Sequence, residues 1–315
     1  MTKAIWGLLF VILSTTPAIA QQSHWRDSLA EAFIKKFDKQ LPSTLFQDES
    51  KAIYAIEELE KLASNENRRI RSYAHFKISE IGLHNKTNFV KTKAVKSILQ
   101  FSYDSDIAIR GNNANFYEAF PKEAFDADFI AGLKSVLHND RFVNRGHILL
   151  VGFLELNEEK AYLESHIVQS KEGLPNDYSR KEFNKFDFAA RMALARMGEK
   201  EQVDYVIRKI KDEPENVILK ERMNYLAYIK RPEAVEIMFD YLVMDKFLKD
   251  VSGFERTYAN YVIPYIFQSI KNFPISNNGW FGYSKEEITV ARKWVAAHMN
   301  HYEINRDTWG INKIF

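Results

Sequence analysis

One spacing recurs along this chain and narrows what it can fold into. An Asp or Asn is followed six residues later by Arg at Asn65/Arg71, Asp104/Arg110, Asn139/Arg145, Asn216/Arg222 and Asp250/Arg256. Arg191 keeps the register, with Lys185 in place of the acid or amide. Successive arginines lie 39, 35, 46, 31 and 34 residues apart. The longest interval contains an insertion, Lys171 to Arg180. Periods of roughly 20–50 residues, each holding two helices and a turn, define an α-solenoid. In each pair the Asp or Asn sits in a turn, where it caps a helix start by accepting from backbone N–H groups. The Arg lies more than one turn further on, with a fork of donors for acceptors of a neighbouring turn. Repeated unit by unit, the pairs form a structural ladder.

Between these markers the apolar residues keep helical spacing. Ile70, Tyr73, Ala74, Ile78 and Ile81 share one face, and Gly82 closes it. Val90, Ala94, Val95, Ile98 and Phe101 repeat the pattern, as do Val203, Val206, Ile207 and Ile210. No segment sustains period-two alternation, so the fold is expected to be all-α, without a sheet. The stripes place helix pairs at 68–82 with 89–102, 106–120 with 125–138, and 141–155 with 158–170. Further pairs fall at 182–198 with 200–212, 216–230 with 232–246, and 254–272 with 285–299. A helix at 25–39 and a partner at 51–63 come before them. Each pair hides its stripe only against the next, so residues 51–299 are expected to form one α-solenoid. Residues 21–50 supply an entry helix and loop, and 300–315, with Trp309 and Phe315, a capping tail.

The first twenty residues read as a leader instead of part of the fold. Lys3 is followed by the apolar run Ala4 to Leu13, the helix-ending Ser14 to Pro17, and the small-residue site Ala18-Ile19-Ala20. Cleavage after Ala20 leaves a mature chain starting at Gln21, in the periplasm or secreted. No later apolar run approaches the ~20 residues that a membrane-spanning helix needs. The chain has no Cys, which removes disulfides, thiolate zinc sites, iron–sulfur clusters and cysteine nucleophiles. Lys and Arg number 44 against 42 Asp and Glu. A dedicated nucleic-acid binder would carry a large basic excess, so no nucleic-acid partner is expected.

The stretch Phe188-Ala-Ala-Arg-Met-Ala-Leu-Ala-Arg-Met-Gly198, followed by Glu201 to Ile210, resembles the first helix, Gly turn and second helix of HEAT-repeat proteins. The likeness is to the phycobilin-lyase-like subtype and extends, more weakly, over about Lys51 to Met299. It implies an armadillo-like superhelix. Members bind proteins, nucleic acids or pigments, and a few are enzymes. Asn112-Asn113 and Pro264 stand inside expected helices, against the family pattern.

A search for chemistry returns little. None of the eight His is followed by Glu, the ligand pair of the HEAT-repeat di-iron hydroxylases. Zincin, P-loop, dinucleotide and nucleophile-elbow motifs are absent from the sequence. His298 and His301 are two potential ligands, too few for a metal site. No cofactor and no metal are expected, and no catalytic residue is assigned. The basic cluster at Arg68, Arg69 and Arg71 is interspersed with acids elsewhere and reads as a solvated face.

Two binding regions stand out. The loop Phe273 to Tyr283 carries Trp280, Phe281 and Tyr283 among Gly and Asn, suited to stacking on a glycan ring or clamping a peptide, or to capping the last repeat. Exposed positions on second helices, near Lys93, Lys209 and Glu236, would face a concave surface. The sequence thus reads as an exported, non-catalytic scaffold for a protein or peptide partner. The alternatives are a pigment-handling or lyase-like enzyme and a glycan binder.

Overall fold

Asp48 opens the first helix of the computed structural model, which describes residues 47–167, 186–249, 255–276 and 282–310. The leader, the entry helix, the insertion Lys171 to Arg180, Asp250, Trp280 and Phe281 lie outside the described residues. The chain divides into two compact units, Met1–Phe101 and Ser102–Phe315.

The first unit contains α1 (Glu49–Lys61), α2 (Arg68–His84) and α3 (Asn88–Gln100). Each starts on a polar cap: Asp48, Asn67 and Thr87 accept from backbone N–H groups of their own first turns. The helices bury Ala52, Ile56 and Leu59 against Ala74, Ile78 and Ile81, and Val90, Ala94 and Ile98. These are the stripes that the spacing predicts.

The second unit contains α4 (Ile107–Tyr117), α5 (Ala127–Leu137), α6 (Arg145–Leu154), α7 (Lys160–Ser165), α8 (Asp187–Met197) and α9 (Lys200–Lys211). Then α10 (Glu215–Val217) passes through a π-helical stretch, Ile218–Arg222, into α11 (Met223–Ile229). It is followed by α12 (Pro232–Val243), α13 (Tyr258–Ser269) and α14 (Lys285–His298). The helices run through Asn112-Asn113 and through Pro264.

Within this unit a row of helices advances in chain order. α4 packs on α6, α6 on α8, α8 on α11, and α11 on α13. The alternate helices lie beside the row: α5 against α6, α9 against α8, α12 against α11 and α13. α6 and α8 approach closely. A Cβ on Gly152 would fall 2.5 Å from Ala193 Cα and 2.8 Å from Ala193 Cβ. Glycine against alanine lets two helix backbones come within touching distance, which is why α8 is built from Ala189, Ala190, Ala193 and Ala195, all buried. Gly152→Val is expected to force the pair apart and cost at least ~1–3 kcal/mol of unfolding free energy, measured by urea titration. Gly111→Ala, inside α4 with nothing within 4 Å of its new Cβ, is the control and is expected to lose no stability and gain up to ~1 kcal/mol from helix propensity.

The mostly helical fold has one departure. Phe247–Lys249 and Glu255–Thr257 pair antiparallel as a short hairpin, β1 and β2; β2 falls within the helix expected over 254–272, and β1 just past the one expected over 232–246. Strands of three residues are too short to show a period-two signature in sequence. Arg256 therefore sits in a strand instead of a helix, and Asn216 lies inside α10, not in a turn ahead of a helix.

The Asx–Arg spacing has a local explanation. Asn65 Oδ1 accepts from the Asn67 amide at 2.9 Å, and Asn67 is the actual cap of α2. Arg71 Nη1 then donates to the carbonyls of Asn65 (2.8 Å) and Glu66 (3.1 Å). The second unit repeats the device. Asp104 accepts from the Asp106 amide at 2.7 Å, Asp106 caps α4, and Arg110 donates to the carbonyls of Asp104 (2.5 Å) and Ser105 (3.0 Å). These two arginines thus wrap their own turns, donating to carbonyls just ahead of the helix each belongs to. Asn139 accepts from the Arg141 amide at 3.2 Å, but Arg145 turns its guanidinium over the Tyr225 ring, 5.7 Å away. Arg222 approaches the same ring from 5.6 Å. Arg191 ion-pairs with Asp187 at 3.1 Å and donates to Gln202 Oε1 at 2.9 Å.

Candidate functional site

The described residues singled out as binding candidates belong to different elements. Lys93 belongs to the first unit, where its Nζ donates to both carboxylate oxygens of Glu60 at 3.0 Å. Lys209 and Glu236 are exposed on α9 and α12. Tyr283 is buried, 8% exposed, with its amide donating to Asn260 Oδ1 at 2.7 Å. Trp280 and Phe281, its companions in the expected aromatic loop, lie outside the described residues. His298 stacks on Trp294 at 4.4 Å, and its Nδ1 lies 2.8 Å from the Trp294 carbonyl. Among the described residues no group of three or more His, Asp or Glu is placed to hold a metal.

Two buried polar assemblies went unread in the sequence. The first joins Ser102 Oγ and His147 Nε2 at 3.0 Å, both residues fully buried. Such a pair invites comparison with a nucleophile and its base. The tautomer excludes it. The Asn144 amide donates to His147 Nδ1 at 3.2 Å, completing the cap of α6, so Nδ1 is the acceptor and Nε2 carries the proton. Nε2 then donates to Ser102, the reverse of what activation of a hydroxyl needs. Burial holds the His147 pKa down at about 4.

The second assembly lies where helix C-termini meet the end of the chain. α6, α8 and α11 all end on a residue in the left-handed region: Glu155 (φ 58), Gly198 (φ 102) and Lys230 (φ 53). Their last carbonyls concentrate negative partial charge, and cations gather on it. Arg231 donates to the carbonyls of Ala195 (3.2 Å) and Arg196 (2.8 Å), and Arg306 to that of Arg196 (2.7 Å). Arg196 itself is wholly buried, and its guanidinium sits 5.0 Å from the centres of the Phe153 and Tyr228 rings. It donates to the carbonyls of Tyr228 (2.7 Å), Arg306 (2.9 Å), Thr308 (3.0 Å) and Trp309 (3.1 Å).

Three of those four acceptors belong to the C-terminal segment. It runs back as a strap along the helix ends. Lys271 and Glu303 are joined backbone to backbone at 2.8 Å, and Asn305 donates to Ser269 O at the end of α13. Thr308 Oγ1 bonds the Gln268 carbonyl and the Lys230 Nζ, each at 2.7 Å. Arg306 pairs with Glu155 at the end of α6, and Glu155 is also held by Lys122 at 2.9 Å. Trp309, 1% exposed, rests between Phe153 (5.1 Å) and Tyr228 (5.5 Å). Gly310 follows at φ 93, where a Cβ would fall 2.1 Å from the Ala227 carbonyl oxygen.

Burial, with Arg196 and Arg306 alongside and Asp307 opposing, lowers Lys230 to about 6. For both His147 and Lys230 the folded pKa lies below the ordinary one, so the unfolded chain binds the extra proton and stability rises with pH. Lys230 acts between its ordinary value of 10.5 and about 6, and His147 between 6.5 and about 4. Chemical denaturation is expected to show stability climbing by up to ~1.4 kcal/mol per pH unit across the Lys230 window. Lys230→Met is expected to flatten that limb alone, and His147→Gln the acid limb alone. A profile indifferent to both changes contradicts these assignments.

No family model matches the chain, and no curated protein matches it in sequence.

Proposed function

We propose that the protein is an exported, non-catalytic scaffold of HEAT-repeat type, an α-solenoid that presents one side of its helices to a protein or peptide partner. The observation that carries this reading is the row α4, α6, α8, α11, α13, in which successive helices pack in chain order with alternate helices alongside. Stacks of this kind offer extended surfaces made of many equivalent exposed positions, and they bind through outline more than through a reactive centre. Lys209 and Glu236 are such positions, on α9 and α12. The two buried polar assemblies are compatible with this, because their donors serve backbone groups and helix caps. Export is proposed from Lys3, the apolar run to Leu13 and the Ala18-Ile19-Ala20 site.

The test places a photo-reactive benzophenone side chain at residue 209 or 236 of the full-length chain in a Gram-negative host, with residue 145 on the other row as control. The reading expects a discrete protein adduct from 209 and 236, none from 145, and a mature mass lacking the leader. Equal adducts from every position, or none from any, would count against it.

A further inference from the structure

We propose that the channel crossing the C-terminal ends of α6, α8, α11 and α13 is a binding site for an extended peptide, which the chain's own residues 305–310 fill in cis. Recognition there is directed at main chain. Arg196 takes the carbonyls of Arg306, Thr308 and Trp309, groups that any extended polypeptide offers. Selectivity comes from one pocket, between Phe153 and Tyr228, filled by the Trp309 indole. The following position is restricted to glycine by its φ of 93 and by the Ala227 carbonyl oxygen 2.1 Å from where a Cβ would be. The ligand class is therefore an extended segment carrying Trp-Gly, or a similarly flat aromatic residue followed by glycine.

The lining supports a site more than a plain core contact. Arg196 is a fully buried cation, Lys230 a fully buried amine, and Arg306 joins them beside Glu155. Withdrawing cations from water is costly, and an apolar tail on an apolar lining would close the same gap without that cost. Charged donors aimed at the carbonyls of a passing strand make a receptor for backbone. The strap is also short and carries no helix or strand of its own, the kind of segment that opens locally. This inference rests on the function proposed above only in taking a polypeptide as partner, and it uses a different surface from Lys209 and Glu236.

The experiment uses the full-length chain carrying Trp309→Ala, which empties the indole pocket and keeps every donor. A fluorescein-labelled peptide with the sequence of residues 302–310 is titrated against it and followed by anisotropy. Saturable binding is expected, at least tenfold tighter than to the unsubstituted chain, whose own strap competes. A peptide with Ala at the Trp position is expected to bind at least tenfold more weakly. No saturation on a variant that keeps its helical circular dichroism, or binding indifferent to the indole, overturns the proposal. Should the variant fail to fold, hydrogen exchange on the unsubstituted chain decides. The Asn305 amide must exchange at least tenfold faster than the buried amides of α8, because a strap that opens only with global unfolding cannot admit a peptide. Peptide failure alongside specific adducts at 209 and 236 sinks this inference and leaves the scaffold reading standing.

Discussion

Replacing Arg196 with methionine is expected to lower the unfolding free energy of the chain by about 3–5 kcal/mol, among the largest effects of any single side chain here. Methionine keeps the apolar stem but stops short of the guanidinium, so the donors go together with the cation's contact with Phe153 and Tyr228. Four carbonyls, those of Tyr228, Arg306, Thr308 and Trp309, then lose a hydrogen bond, the bonds to Tyr228 and Trp309 being fully buried and the other two part-buried. Each buried polar group left without its partner costs about 1–3 kcal/mol, and relaxation of the strap recovers part of the sum. Arg196→Lys is expected to rescue little, because an ammonium cannot fork between two helix ends and a crossing strand. Burial lowers the Arg196 pKa to about 10, still far above neutrality, so the group stays charged. Urea denaturation of the three proteins measures it. A loss under 1 kcal/mol in Arg196→Met would show that the carbonyls find water or other donors.

Trp309→Ala is expected to cost a similar amount, about 3–5 kcal/mol, from lost aromatic burial and the cavity left between Phe153 and Tyr228. Trp309→Phe should retain more than half of it. The size of this effect is notable for a residue so near the end of the chain, since terminal residues are ordinarily dispensable unless they dock. Here the docking partners are distant in sequence: Arg196 is 113 residues from Trp309. The loss stays below the roughly 5–15 kcal/mol that holds a domain folded, so the variant is expected to remain helical at 25 °C with a lowered melting temperature.

The helices were legible because their information is local. An expected helix over 68–82 is observed as Arg68–His84, one over 89–102 as Asn88–Gln100, and one over 232–246 as Pro232–Val243, with Pro232 at its preferred first-turn position. The caps were placed two residues early, at Asn65 and Asp104. Each turn there holds two polar residues, and the first serves the second: Asn65 accepts from Asn67, and Asp104 from Asp106. Spacing alone cannot say which of two turn-forming side chains is the cap. The strap was not legible because periodicity reports only neighbours along the chain. One signal did exist. Arg196 stands among Leu194, Ala195 and Met197 in a stretch whose small residues announce close packing. A charge embedded there must find buried acceptors, and two positive-φ residues, Lys230 and Gly310, supply the turns that bring carbonyls to it.

The central claim is that the C-terminal segment crosses the ends of the helix row and seats residue 309 on α6 and α11. Photo-crosslinking from p-benzoylphenylalanine at residue 309, read by peptide mass spectrometry, tests it most directly. The account predicts adducts on peptides containing Phe153 or Tyr228. Adducts confined to α13 and α14, the helices next to the tail in sequence, would contradict it.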